Sequence, residues 1–280
     1  MTVNSRRRFL RQVNVLAIAS ALGASARVSW AEPDKSGGKA MDGVKALVFD
    51  VFGTLVDWRT CVARESKKVL EPLGYKLDWI AFADAWRGEY QPAMEEVRSG
   101  QLPYVKLDSI HRRMLDRIRP KFGLQDLNEP TMAELNLAWH RLDAWPGVPA
   151  GLRRLRQRFL LAPCSNGNIA LMADLARHNE IWWDAILGSE IAQDYKPKPR
   201  VYLATAEAFN LKPEQVMMCA AHSNDLAAAA QQGLRTAHIA QVDEFGKNTG
   251  EAGPTVKVDV SAKSFEEFAA RYAQSFRQRQ

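Results

Sequence analysis

Cysteine is scarce: Cys61, Cys164 and Cys219 are the only three in 280 residues. An odd number cannot pair completely, and no two stand in a Cys-x-x-Cys spacing. A disulfide scaffold and a thiolate metal site are therefore poor readings. Cys164 and Cys219 end apolar runs and read as small buried hydrophobes. Acidic side chains are missing from residues 1–31, which hold Arg6, Arg7, Arg8, Arg11 and Arg27. The formal charge of +6 belongs almost wholly to that segment, because the remainder carries 33 basic and 32 acidic residues. No basic surface is left over for a nucleic acid, and no nucleic-acid partner is expected. A long apolar run is also missing: Val13 to Ala26 falls short of the ~20 residues that span a bilayer.

What the first residues do contain is the pattern of an export signal. Ser5-Arg6-Arg7-Arg8-Phe9-Leu10-Arg11 resembles the twin-arginine motif of bacterial signals, an apolar stretch follows, and Ser29-Trp30-Ala31 puts small residues where a signal peptidase needs them. Residues 1–31 are expected to be a leader cleaved near Ala31. Cleavage after Ala26, or retention as an anchor, are the alternatives. Twin-arginine signals carry folded cargo, so the expected partner is the twin-arginine translocase and the expected location the periplasm. Residues 32–43, polar and glycine-containing, read as a linker.

The rest is rich enough in hydrophobic residues, 46% of the chain, to bury a sizeable core. Val44–Phe49 is short, almost wholly apolar and ends at Asp50 and a glycine turn, the pattern of a central parallel strand buried on both faces. Further strands are predicted at Phe159–Ala162, Ala185–Leu187, Val216–Ala220 and Thr236–Ala240, with an edge strand at Val256–Val260. The first of these is expected to stop before Pro163. Helical patterns cover Val148–Gln157, Ile169–His178, Pro199–Phe209, Asp225–Gln232 and Phe265–Phe276. This alternation predicts an α/β fold with a doubly wound parallel sheet, built from residues 44–57 and 144–280. Residues 58–143 show helical periodicity alone, over Cys61–Leu73, Trp79–Val97, Tyr104–Arg119 and Pro130–Leu142. A helical block inserted after the first strand is an expected cap over the strand ends, where ligands of such sheets bind.

Asp50-Val51-Phe52-Gly53-Thr54-Leu55-Val56-Asp57 carries the chemistry. An aspartate at the end of a buried strand, before a Gly-Thr turn, stands at the mouth of the sheet, where a carboxylate can attack carbon or phosphorus. Three further motifs follow in order: Ser165-Asn166-Gly167; Tyr195-Lys196-Pro197-Lys198-Pro199-Arg200-Val201-Tyr202; and Ala220-Ala221-His222-Ser223-Asn224-Asp225. Together they resemble the haloacid dehalogenase superfamily, and more narrowly its type II 2-haloacid dehalogenases, over nearly all of residues 44–270. The resemblance implies a Rossmann-like core with a helical cap.

Phosphatases of that superfamily use a second aspartate, two residues after the nucleophile, to protonate a leaving alcohol. That position is Phe52 here. They also hold Mg²⁺ with a late pair of acids, of which Ala221 replaces the first and Asp225 remains. Mg²⁺ needs a hard oxygen site, whereas halide leaves without acid or metal. The two replacements fit a halide leaving group, so neither metal nor cofactor is expected. The expected substrate is a small halogenated carboxylic acid, converted to a 2-hydroxy acid through an ester on Asp50. A phosphohydrolase of the same fold, or a non-catalytic periplasmic protein, are the alternatives.

The resemblance also assigns roles. Asp50 is the nucleophile, and Thr54 fixes its carboxylate. Lys196 neutralises it. Asp225 positions the hydrolytic water, with His222 orienting that water or pairing with Asp225. Ser165 and Asn166 receive the substrate carboxylate, Arg87 of Trp86-Arg87 receives the departing halide, and Phe52 and Tyr202 belong to the pocket. His222 stands where the better-known type II enzymes have asparagine, which leaves the preferred substrate open. A homodimer is compatible with all of this.

Overall fold

A computed structural model describes residues 41–273. The leader and most of the linker, residues 1–40, lie outside the described residues. The linker's last three residues form a turn in which the Val44 amide donates to the Met41 carbonyl (3.1 Å), and Met41 joins the core. That end of the expected linker is therefore packed, because Met41 has apolar surface to bury.

The core is a six-stranded, all-parallel sheet: β1 (Ala46–Phe49), β2 (Leu160–Ser165), β3 (Leu187–Gly188), β4 (Val216–Ala220), β5 (Arg235–Ile239) and β6 (Val260–Ala262), in the order β3-β2-β1-β4-β5-β6. Five α-helices follow β1 before residue 144: α1 (Trp58–Leu70), α2 (Trp79–Gly88), α3 (Tyr90–Arg98), α4 (Leu107–Ile118) and α5 (Glu129–Asn136). These are the expected cap helices. The core adds α6 (Val148–Leu155), α7 (Ile169–His178), the single turn α8 (Ser189–Ala192), α9 (Pro199–Ala208), α10 (Ser223–Gln231) and α11 (Phe265–Tyr272).

Strand β1 is fully buried because alternate residues feed two cores. Leu47 and Phe49 join the cluster that includes residues of α6, α7, α11 and the cap, while Ala46 and Val48 join the one formed with α9 and α10. Strand order reverses direction on either side of β1, so its carboxyl end is the crevice where such sheets bind ligands.

Three expectations are corrected. Strand β2 does not stop before Pro163 but runs through it, with Pro163 opposite Phe49. Leu160 donates its amide towards β1 and Leu161 donates to the Asp184 carboxylate on the other side. Alternation then turns the Pro163 nitrogen towards β3, which pairs only with Cys164 and Ser165, so no ladder bond is lost. The predicted helix Trp79–Val97 is two helices. Pro92 has no amide to donate to the Gly88 carbonyl and its ring crowds that carbonyl, so the chain breaks at Gly88-Glu89. The edge strand begins at Val260 rather than Val256, because Asp259 is spent on the start of β5, accepting from the Thr236 amide (2.8 Å). All three thiols are free and buried.

Candidate active site

The site assembles at the end of β1, where a cavity of about 300 Å³ is lined by core residues and by Arg87, Tyr90, Gln91 and Arg98 from the cap. A second hollow, about 350 Å³ around Arg153, Phe159 and Trp182, starts at the opposite end of β2 and holds none of the groups described next.

Asp50 follows β1 directly, its amide donating to the Cys219 carbonyl (3.0 Å). One carboxylate oxygen faces Lys196 Nζ at 3.1 Å; the other accepts from Thr54 Oγ1 (2.7 Å) and lies 3.1 Å from His222 Nδ1. Thr54 is itself aimed by accepting the Ala221 amide (3.0 Å). Burial would push the Asp50 carboxyl up, but Lys196, His222 and Thr54 outweigh it and hold the group well below the usual carboxylate range. It is therefore an anion, partly stripped of water, with a fixed direction of approach.

Lys196 also bonds Asp225 Oδ2 (2.6 Å), and Tyr202 donates to Asp225 Oδ1 (2.7 Å). Burial disfavours the ammonium, yet Asp225 and Asp50 on either side raise its pKa and keep it charged. Both oxygens of Asp225 are thus engaged in holding Lys196 and Tyr202. His222 does not pair with Asp225, as one sequence reading had it. It opens α10 from the other side of the cavity, bridging Asp50 and Glu244 Oε2 (2.8 Å). Glu244 is 2% exposed and accepts from Trp58 Nε1 (3.1 Å) as well. Gly53, at φ +82°, leaves room for it: a Cβ there would run into the Glu244 carboxylate.

The imidazole loses hydration by burial, but its hydrogen bonds to Asp50 and Glu244 win, and its pKa is pushed up to about 10. A raised folded value means that this ion pairing stabilises the fold fully below the unfolded histidine value of about 6.5 and is lost as pH rises through about 10. Melting temperature measured from pH 6.5 to 10 should fall, and should fall less in His222→Gln. Parallel curves for the two proteins would show that His222 is not held charged.

The remaining expected residues divide. Phe52 and Asn166 line the cavity. Ser165 does not: it is fully buried and its hydroxyl accepts the Gly167 amide (3.1 Å), a turn role. Asn166 spends its Oδ1 on Ser189 Oγ and the Lys196 amide, both at 2.9 Å, and its Nδ2 donates to the Tyr90 hydroxyl (3.1 Å). Arg87 lies with its guanidinium carbon 3.7 Å from the centre of the Tyr90 ring, and its buried Nη1 has no hydrogen-bond partner. Among the described residues facing the cavity it is the cation with no carboxylate opposite, since Arg98 pairs with Glu95. Arg98 also donates to the Lys196 carbonyl (3.1 Å), tying cap to core. The donor set does not fit Mg²⁺. Phe52 and Ala221 stand where oxygen ligands and acids would be needed, and the Asp50 carboxylate is engaged by an ammonium, a hydroxyl and an imidazole.

The model of the haloacid dehalogenase-like hydrolases matches residues 44–233. The chain belongs to that family. Among curated relatives of this hydrolase is (S)-2-haloacid dehalogenase 1 of Pseudomonas sp. strain CBS-3, 26% identical over 207 residues, which cover 73% of this chain and 88% of that protein. Another is haloacetate dehalogenase H-2 of Moraxella sp. strain B, 26% identical over 219 residues, 77% of this chain and 92% of that protein. The crystal structure of a defluorinating L-2-haloacid dehalogenase superposes with a TM-score of 0.80 at 40% identity, covering 82% of this chain and 96% of that one.

Sequence reasoning on this hydrolase missed Glu244, Tyr90 and Arg98. Glu244 lies in a patternless loop beyond the matched residues. Tyr90 sits three residues after Arg87, close enough on a helix to have been suspected as its neighbour.

Proposed function

We propose that the protein hydrolyses short (S)-2-haloacids to 2-hydroxy acids of inverted configuration, through an ester on Asp50. The observation that carries this is an ionised, aimed carboxylate at Asp50 with phenylalanine at position 52, so that a nucleophile is present and an acid for an alkoxide is not. Asp50 attacks C2 and the halide leaves with the bonding electrons on the far side, towards Arg87. The relatives' names support the substrate class, and the unpartnered Arg87 suits an acidic substrate or a departing anion.

The second step is water attack on the ester carbonyl. Esterification removes the Asp50 charge, and with it one of the two carboxylates that keep the proton on His222. Glu244 still holds Nε2–H, the imidazolium gives up its Nδ1 proton to solvent in the cavity, and the freed Nδ1 takes a proton from the attacking water and returns it to the oxygen of the departing 2-hydroxy acid. Lys196 stays beside the ester and offsets the charge of the tetrahedral intermediate.

Halide release from 2-chloro and 2-bromo acids, with and without EDTA, tests the reading. Activity should survive the chelator and gain nothing from Mg²⁺; a strict Mg²⁺ requirement with phosphate release from an aryl phosphate would overturn it. The reading includes export. Arg6→Lys with Arg7→Lys should leave the protein in the cytoplasm, since the translocase reads the arginine pair. Wild-type amounts in the periplasm would remove that part.

A further inference from the structure

The orientation of one amide exposes a donor that the reaction above does not use. A backbone N–H can only donate, so the Lys196 amide at 2.9 Å identifies the atom it meets as Asn166 oxygen. The Ser189 hydroxyl, also at 2.9 Å, meets the same oxygen. The other end of the carboxamide is then nitrogen, and it donates to the Tyr90 hydroxyl at 3.1 Å. The Tyr90 oxygen is an acceptor in that bond. Its single proton must point elsewhere, and among the described residues no acceptor takes it. Tyr90 is 5% exposed and lines the cavity. The Arg87 guanidinium on its ring face pins the ring, and the Arg87 Nη1 is a second buried donor without a partner.

Both donors come from the cap, Arg87 on α2 and Tyr90 on α3, while Asp50 comes from the end of β1. In an in-line displacement the leaving atom departs on the side of C2 away from the nucleophile. Two unpartnered donors on the wall that the cap contributes suit an anion released there better than a carboxylate anchored to the core.

We propose that Tyr90 is a catalytic donor to the departing halide beside Arg87, that Asn166 is its positioning residue, and that the pair extends the reaction to carbon–fluorine bonds. This rests on the dehalogenase reading. As the Asp50 oxygen–C2 bond forms, the C2–F bond breaks and its electron pair leaves as fluoride. Tyr90 keeps its proton and contributes a hydrogen bond only. Fluoride, the halide of highest charge density, gains most from such a bond and bromide least.

The experiment is single-turnover halide release from 2-fluoro-, 2-chloro- and 2-bromopropanoate by wild-type protein and Tyr90→Phe, which keeps the ring under Arg87. Removing one donor from developing negative charge costs about 100-fold. Fluoride release should fall by that order, chloride release by less and bromide release little, with half-saturation unchanged. Asn166→Ala should show the same ranking. An equal loss on all three halides, or a raised half-saturation with unchanged rates, would overturn the proposal and make Tyr90 a packing or carboxylate-binding residue. Wild-type protein that releases bromide but no fluoride overturns it too, while leaving the dehalogenase reading in place. No halide from any substrate defeats the reading itself.

Discussion

Asp50→Asn should abolish turnover while leaving the fold intact. The amide has nearly the same shape, so Thr54 and the end of β1 can keep their geometry, but it is a poor nucleophile and carries no charge for Lys196 and His222 to hold. Loss of an essential nucleophile in a covalent mechanism is expected to cost on the order of 10⁴-fold or more. Circular dichroism and melting temperature separate this from misfolding, although the buried Lys196 then faces one carboxylate instead of two. The covalent step is tested directly by one turnover in ¹⁸O-water with enzyme in excess. The product hydroxyl should come from Asp50 and be unlabelled, and the peptide containing Asp50 should become heavy. Label in the product on that first turnover would mean direct attack by water, with Asp50 as a base, and the ester mechanism would fall.

The second large effect concerns the later half of the reaction. Glu244→Gln and His222→Gln should both let the first turnover release halide and then stall, with the Asp50 ester visible as added mass on the intact protein. A general base contributes typically 10²–10⁴-fold, so ester hydrolysis should slow by about 100-fold or more. His222 touches Asp50, whereas Glu244 acts through it. His222 must be deprotonated to act as a base, and Glu244 helps hold its proton, so Glu244→Gln should also shift the acidic limb of the pH profile of ester hydrolysis to lower pH, which a merely structural role would not move. Asp225→Asn is the control. Its oxygens are taken by Lys196 and Tyr202, so it should slow both steps without accumulating ester. Accumulation in Asp225→Asn and none in His222→Gln would return the water to Asp225.

These outcomes turn on residues whose roles were legible to very different degrees. Asp50 and Thr54 belong to a single strand-and-turn motif. Apolar residues on both faces of β1 force it into the middle of the sheet, and the chain must then surface at Asp50. Lys196, Tyr202 and Asp225 are likewise fixed by local motifs at the ends of later elements. The parallel sheet followed from the alternation of short apolar runs with helical periodicity, which local sequence carries well.

What local sequence does not carry is partner choice across long separations. Position 222 reads as a histidine in a variant motif, and nothing nearby says whether it turns to Asp225, three residues on, or to Asp50. Tertiary packing decides for Asp50, because Gly53 has no side chain and the loop after β5 can push the Glu244 carboxylate into that gap. Ser165 looks like a substrate ligand in Ser165-Asn166-Gly167, yet its hydroxyl closes the turn. The motif puts Asn166 on the cavity wall, but only the Lys196 amide, thirty residues away, orients its carboxamide and so turns the Tyr90 proton free. The sequence by itself determined the sheet and the place of Asp50, the proposed nucleophile, at its mouth, since burial and turn chemistry are local. The fold alone decided which groups assist it, since that depends on where distant loops and the cap helices find room.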